Sequence, residues 1–163
     1  MHIEHIEETL NNLCELYDQY SSENKKVYYF SKLAVLELSG WIEYVIDEAI
    51  KKHFLISSDS IKKEAEKSIK KCYGFEYDFN VRPLVKTTLG IKNLDKIEQE
   101  LQLDESLHII KDKLGYLTKV RQDFAHTFEM SRSHPPVSPT VTLQIFQAIK
   151  KPILKFINLI ENS

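Results

Sequence analysis

Residues that break helices are scarce along this chain, and their scarcity limits the folds open to it. The sequence of 163 residues contains only 4 Gly and 5 Pro, whereas Glu, Lys, Leu and Ile are abundant. A sheet protein needs frequent turns, and turns draw on Gly and Pro. The composition therefore favours long helices, which Glu, Lys and Leu form readily.

Apolar residues recur every three or four positions, which is the period of an amphipathic helix. The pattern predicts helices over residues 3–20, 22–54, 58–73, 105–130 and 140–160, with one or two further pieces over 83–103 interrupted near Gly90. Residues 75–82 and the proline-rich stretch 131–140 are predicted to be loops. We expect a single all-α domain spanning residues 1–163, folded as a bundle of five or six helices.

What the sequence lacks disfavours several classes of protein. Cys14 and Cys72 have no CxxC spacing, so neither a zinc site nor a disulfide framework is expected. No apolar run approaches the roughly 20 residues that span a bilayer. The net charge of -2 does not suit a protein that coats nucleic acid. We expect a cytoplasmic protein without metal, cofactor or membrane contact, whose contacts with RNA are local.

The segments 22–54 and 58–73 differ in character. The first is apolar nearly all the way round between Tyr28 and Ile50, which is typical of a helix at the centre of a bundle. The second is rich in lysine, and its lysines alternate with Glu64 and Glu66. We interpret this second segment as a peripheral helix with a solvated face, although it could also guide RNA.

The helix predicted over residues 105–130 carries one charge in its apolar stripe. Its stripe consists of Leu107, Ile110, Leu114, Leu117, Phe124 and Phe128, and the remaining position of the stripe is Arg121. Burying a guanidinium there costs several kcal/mol in order of magnitude unless a carboxylate or a phosphate meets it. Glu37 and Glu43 are the only charged residues between Leu33 and Ile46, so either could be the partner.

His126 follows Arg121 by five residues and belongs to a different face of the helix. On an ideal helix that spacing separates the two side chains by about 140° and about 7.5 Å along the axis. His126 instead shares a polar strip with Gly115, Lys119 and Gln122. One copy of the helix therefore does not bring Arg121 and His126 together.

Two segments carry a resemblance to a known family. The sequence VRQDFAHTF at residues 120–128 resembles the signature of HEPN domains, in which Arg and His are separated by four residues. The segment LAVLELSGWIEYVIDEAI at residues 33–50 is similar to the second helix of these domains, most of all in the RiboL-PSP type. The similarity covers nearly the whole chain, and it implies an all-α bundle that dimerises about a two-fold axis.

The resemblance also implies an activity and roles for named residues. Active HEPN proteins are metal-independent endoribonucleases, in which two Arg-His motifs share a cleft between subunits. By that likeness His126 would transfer protons, Arg121 would hold the scissile phosphate, and an acidic residue of the second helix, Glu43 in preference to Glu37, would support the site. Gln122 stands where the family often has Asn, Asp or His, and it keeps a polar group there.

The chain thus has two candidate functions. The first is a homodimeric ribonuclease of a toxin-antitoxin or antiphage system, with RNA as its substrate and an antitoxin protein as a further partner. Phe128 stands where some HEPN toxins have a tyrosine that is AMPylated, so that mode of neutralisation is not expected. The second is an interaction or scaffold module without catalytic activity, in which Arg121 forms a structural ion pair and the strip from Gly115 to His126 packs against a partner.

Overall fold

The protein is all-helical in the part of the chain that the structure describes. A computed structural model describes residues 3–126 and 137–163, and of His126 it describes the helical backbone only. These residues form seven α-helices: α1 (Ile3–Gln19), α2 (Asn24–His53), α3 (Asp59–Lys70), α4 (Arg82–Leu89), α5 (Ile91–Gln102), α6 (Ser106–His126) and α7 (Pro139–Glu161). A π-helical turn over Tyr77–Val81 precedes α4. A helical bundle was the expected architecture, and this all-helical chain is consistent with it.

The count of α-helices exceeds the predicted five or six because residues 82–102 form two separate helices, α4 and α5. The predicted interruption near Gly90 is confirmed: Gly90 adopts a φ of 87°, a left-handed conformation that separates α4 from α5. Residues 77–81 were expected to be a loop, and they instead form the π turn, in which the backbone N–H groups of Asn80 and Val81 both donate to the carbonyl of Glu76. Pro83 is tolerated in the first turn of α4 because no intrahelical N–H is needed there.

The chain divides into two compact units, and the three longest helices contribute to both. Unit 1 contains Met1–Trp41 and Tyr116–Ala148, and unit 2 contains Ile42–Gly115 and Ile149–Ser163. The prediction of one domain over residues 1–163 stays a prediction. None of the helices in the described ranges combines the length and the apolar character that a membrane crossing requires.

In unit 1, α1 and α7 run antiparallel and are joined by polar contacts at two levels. The amide of Gln147 donates to the carboxylate of Glu7 over 2.8 Å. About two turns further along α1, Cys14 hydrogen bonds with Thr140 near the beginning of α7. The aromatic rings of Trp41 and Phe146 meet edge to face, with 5.4 Å between their centroids, and so pack α2 against α7.

In unit 2, an ionic contact joins the π turn and α4 to α5. Arg82 donates to both carboxylate oxygens of Glu98, over 2.8 Å from Nε and 3.2 Å from Nη2. The hydroxyl of Tyr77 donates to the same carboxylate over 3.1 Å. Burial, together with the charge of Glu98, raises the pKa of Tyr77. At the beginning of α6 the carboxylate of Asp104 caps the helix by accepting from the N–H of Ser106.

The helix α2 is not buried on all sides, contrary to the expectation from its sequence. One side of it is buried, including Leu38, Ile42 and Ile46. The opposite side leaves four large apolar residues exposed: Tyr29, Leu33, Leu36 and Tyr44. The apolar character of this outer side therefore does not come from burial within the described residues.

Candidate functional site

The predicted apolar stripe of α6 is present, and Arg121 lies in it. The described members of the stripe are at most 7% exposed: Leu107, Ile110, Leu114, Leu117 and Phe124. Arg121 occupies the expected position among them and is half-buried. Phe128, the last residue of the predicted stripe, lies outside the described residues. The charge of Arg121 is thus held in line with buried apolar side chains.

The backbone that carries Arg121 is fixed by an aromatic contact in unit 1. Phe124, one turn further along α6, is fully buried, and its ring meets the ring of Tyr28 edge to face at 5.5 Å. This contact packs the end of α6 against the beginning of α2. Because Arg121 is only three residues before Phe124, the same contact limits where its side chain can reach.

Buried polar atoms without a hydrogen-bond partner also occur in unit 1. Within the described residues these atoms are the hydroxyls of Ser31 and Thr118 and the indole nitrogen of Trp41. Each such atom costs about 1–3 kcal/mol relative to a satisfied one. Thr118 precedes Arg121 by three residues and shares its face of α6. The face that holds Arg121 therefore also carries a buried hydroxyl without a hydrogen-bond partner.

The other predicted site residues are distributed over both units. Gln122 is exposed on α6, and Glu37 is exposed on α2. Glu43 is half-buried on the part of α2 that belongs to unit 2. The side chain of His126 lies outside the described residues, so its role stays a prediction, as does the choice between Glu43 and Glu37 as the partner of Arg121.

An acidic residue that the sequence analysis missed, Asp47, lies one turn after Glu43 on α2. The pKa of Asp47 is raised to about 6, chiefly by burial and in smaller part by the charges of Glu43 and Glu48, while the charge of Lys51 opposes the rise. Burial also raises the pKa of the Cys72 thiol, and Asp47 and Glu43 add to this effect. The spacing of four residues from Glu43 was the available signal, because residues four apart share a face of a helix.

The arrangement in unit 2 can exchange protons near neutral pH. A carboxyl group with a pKa of about 6 is populated in both its protonated and its ionised form there, which is the property that a general acid or base requires. In the ranges 3–126 and 137–163, no group of three or more His, Cys, Asp or Glu side chains is arranged to hold a metal ion. Of the side chains described above, Asp47 can transfer a proton and Arg121 can bind an anion.

No family model, no curated protein and no solved structure matches the chain. The likeness to HEPN domains accordingly depends on the motif around Arg121 and His126 and on the helix α2. The fold itself is described at a coarser level, as an all-helical chain over the described residues.

Proposed function

We propose that this protein is a metal-independent endoribonuclease of the HEPN type that acts as a homodimer. The observation that carries the proposal is the half-buried Arg121 in the otherwise apolar stripe of α6, five residues before His126. Burying a guanidinium is costly unless an anionic group meets it, and a carboxylate or a phosphate can do so. A planar cation of this kind suits a phosphate, because it can donate two parallel hydrogen bonds to the phosphate oxygens.

The proposed reaction is an attack of a ribose 2′-oxygen on the neighbouring phosphorus. The 2′-OH loses its proton to one imidazole, the new 2′-O–P bond forms, and the P–O5′ bond breaks. The leaving 5′-oxygen takes a proton from a second group in the cleft, so that the products are a 2′,3′-cyclic phosphate and a 5′-OH. His126 fits the proton transfers because its ordinary pKa range lies near neutrality. Arg121 would stabilise the charge that develops on the phosphate oxygens.

The homodimer follows from the helical spacing of the two residues. Arg121 and His126 point about 140° apart on one helix, so a second copy is needed to bring an Arg and a His to one phosphate. A surface for that second copy is available on α2 in unit 1, where Tyr29, Leu33 and Leu36 are exposed. Exposed apolar groups that adjoin one another are typical of a surface that is covered by a partner.

The acidic residues of α2 would have a supporting role. Glu43 is the residue that the HEPN likeness favours for orienting the basic groups, with Gln122 holding a polar contact beside Arg121. Asp47 is a second acidic candidate because its pKa of about 6 allows it to accept or return a proton. In a cell, such an enzyme would act as a toxin or an antiphage effector, and an antitoxin protein would be its natural inhibitor.

A cleavage assay with matched variants tests the proposal. A defined RNA is incubated in EDTA with the wild type, Arg121→Ala, His126→Ala and the control Lys151→Ala, which removes an exposed cation of α7. Circular dichroism and sedimentation confirm that all four proteins are folded and have the same oligomeric state. We expect the wild type and Lys151→Ala to cleave, and the two site variants to lose at least about 100-fold in rate. Equal rates in all four proteins would refute the assignment.

A second candidate function is an interaction module without activity. The exposed apolar side of α2 favours it, because such a surface serves a scaffold as well as a dimeric enzyme. In that case Arg121 would be a structural ion pair, and Arg121→Ala would lower the free energy of unfolding without removing any catalysis. A wild type that cleaves no RNA and is harmless when expressed would favour this function over the ribonuclease.

A further inference from the structure

Two adjoining clefts lie between α3, the segment that follows it and α4, within unit 2. Each has a volume of about 330 Å³. They adjoin because Ser68, Lys71 and Thr87 line both of them. Pockets that hold small organic ligands have volumes of about 300–1,000 Å³. Each cleft is therefore of a size for a nucleobase or a sugar, and together they form a short track.

Two aromatic rings stand at the first cleft and are almost entirely in solvent. Tyr73 is 86% exposed and Phe79 is 76% exposed, and both line this cleft. Tyr77, two residues before Phe79, is fully buried in the π turn, so the turn leaves Phe79 directed outward. Large aromatic groups are normally packed away from water. Two of them at one cleft offer flat faces on which another ring system can stack.

The segment that carries these rings is held by its own hydrogen bonds. The side-chain amide of Asn80 donates to the carbonyl of Tyr73 over 3.1 Å. The thiol of Cys72 lies 3.6 Å from the carbonyl oxygens of Gly74 and Asn80 and donates weakly to them. Gly74 adopts a φ of 117°, which favours glycine. The backbone that carries the two rings is thus held before any ligand arrives, which lowers the entropic cost of binding.

Positive charge accumulates along the same clefts. Residues 62–71 hold five Lys and two Glu, although the whole chain has a net charge of -2. Lys67 and Lys71 line the clefts, where the hydroxyls of Ser68 and Thr87 are also present. Glu64 lines the second cleft and will repel a phosphate there. The charge is therefore most favourable to an anion beside Lys71, where the two clefts adjoin.

We infer that these clefts bind a single-stranded segment of RNA. Bases stack on the rings of Tyr73 and Phe79, and the phosphates that join them meet Lys67 and Lys71. Stacking on exposed rings requires unpaired bases, whose faces are open, so a duplex is excluded from this mode. That the nucleic acid is RNA rests on the proposed ribonuclease function. The clefts add that the substrate is held as an unpaired single strand.

The test measures binding without cleavage. The probe is a fluorescein-labelled, 12-nucleotide 2′-O-methyl RNA of mixed sequence, which has no free 2′-OH to attack phosphorus and so remains intact with wild-type protein. Fluorescence anisotropy gives its Kd for the wild type, Tyr73→Ala, Phe79→Ala and the control Leu103→Ala, which removes an exposed apolar residue outside the clefts. We expect each ring variant to bind roughly 5- to 100-fold more weakly, and Leu103→Ala to bind like the wild type.

Further measurements on the same probe define its contacts. Lys71→Ala should reduce the slope of log K against log salt by about 0.7, as expected for one lost phosphate contact on a single strand. A duplex of the same sequence should bind more weakly than the single strand, and polyglutamate should not compete effectively.

The proposal that the clefts bind single-stranded RNA is overturned if the ring variants bind like the wild type, if the duplex binds equally well, or if polyglutamate displaces the probe readily. These results are independent of cleavage. If Arg121→Ala loses cleavage while Tyr73→Ala binds the probe like the wild type, RNA binding at the clefts is refuted and the ribonuclease function is retained. If Arg121→Ala cleaves like the wild type while Tyr73→Ala binds the probe weakly, the ribonuclease function is refuted and RNA binding at the clefts is retained.

Discussion

Replacing Asp47 by Asn should make folding less sensitive to pH. The pKa of Asp47 is raised from 3.8 to about 6, first by burial and then by the charges of Glu43 and Glu48, against the opposing charge of Lys51. The folded protein therefore holds this proton more tightly than the unfolded chain does. Stability from this group is fully present below the unfolded pKa of 3.8 and is lost as pH rises through about 6.

The size of the effect follows from the pKa and the exposure of the carboxyl. A rise from 3.8 to about 6 would cost about 3 kcal/mol above neutral pH if the group were shielded from water. Asp47 is only half-buried, so solvent screening reduces this cost to about 1–1.5 kcal/mol. Asn has nearly the same shape and no charge. Asp47→Asn should therefore raise the free energy of unfolding by about 1 kcal/mol at pH 8 and by close to zero at pH 4.

Urea unfolding followed by far-ultraviolet circular dichroism at pH 4 and pH 8 measures this difference. The control is Asp95→Asn on α5, where the carboxylate is exposed and accepts a hydrogen bond from Gln99 that Asn can also accept. The control should change the free energy of unfolding equally at the two pH values. If Asp47→Asn does the same, burial does not raise the pKa of Asp47, and its placement beside Glu43 and Cys72 is wrong.

Three further predictions concern packing, an ion pair and the subunit contact. Phe124→Ala should lower the free energy of unfolding by about 3–5 kcal/mol, because a fully buried ring that contacts Tyr28 is lost; a urea midpoint like that of the wild type would contradict the packing. Arg82→Met should cost about 1–2 kcal/mol in the same assay, because Glu98 is 15% exposed and would lose both hydrogen bonds from the guanidinium. Leu36→Glu should convert a dimer to a monomer in sedimentation without altering the circular dichroism spectrum; a variant that remains dimeric would exclude this side of α2 from the interface.

The periodic part of the fold was predictable because local sequence determines it. The stripe of α6 was located correctly from the spacing of Leu107 to Phe124, since burial of every third or fourth residue leaves a direct trace in the sequence. The boundary at Gly90 was predictable for a similar reason, because the positive φ at this position favours glycine, and a glycine is visible in the sequence.

Features that depend on distant contacts were not predictable. The π turn over Tyr77–Val81 is supported by the contacts of Tyr77 and Arg82 with Glu98. Glu98 is 16 residues beyond Arg82, and no local sequence pattern predicts that contact. The outer side of α2 was assigned to the core because apolar side chains look the same in a sequence whether the chain itself or a partner covers them.

The site was predictable to the extent that it lies on one helix. Placing Arg121 in the apolar stripe needed only the helical period, and the half-buried position of this residue agrees with it. Asp47 was missed because its raised pKa arises from burial and from neighbouring charges, which only packing determines. The proposed pairing of Arg121 with an acidic residue, and with His126 across a dimer, would depend on contacts that no spacing along one chain encodes.

The ends left on a cleaved RNA test the central claim most directly. A 3′-labelled and a 5′-labelled RNA with one cleavable region are incubated with the wild type and with His126→Ala in EDTA, and the product termini are identified by mass spectrometry. The account predicts 2′,3′-cyclic phosphate and 5′-OH ends with the wild type and intact RNA with His126→Ala. Products with 5′-phosphate ends, or no cleavage by a folded dimer, would contradict it.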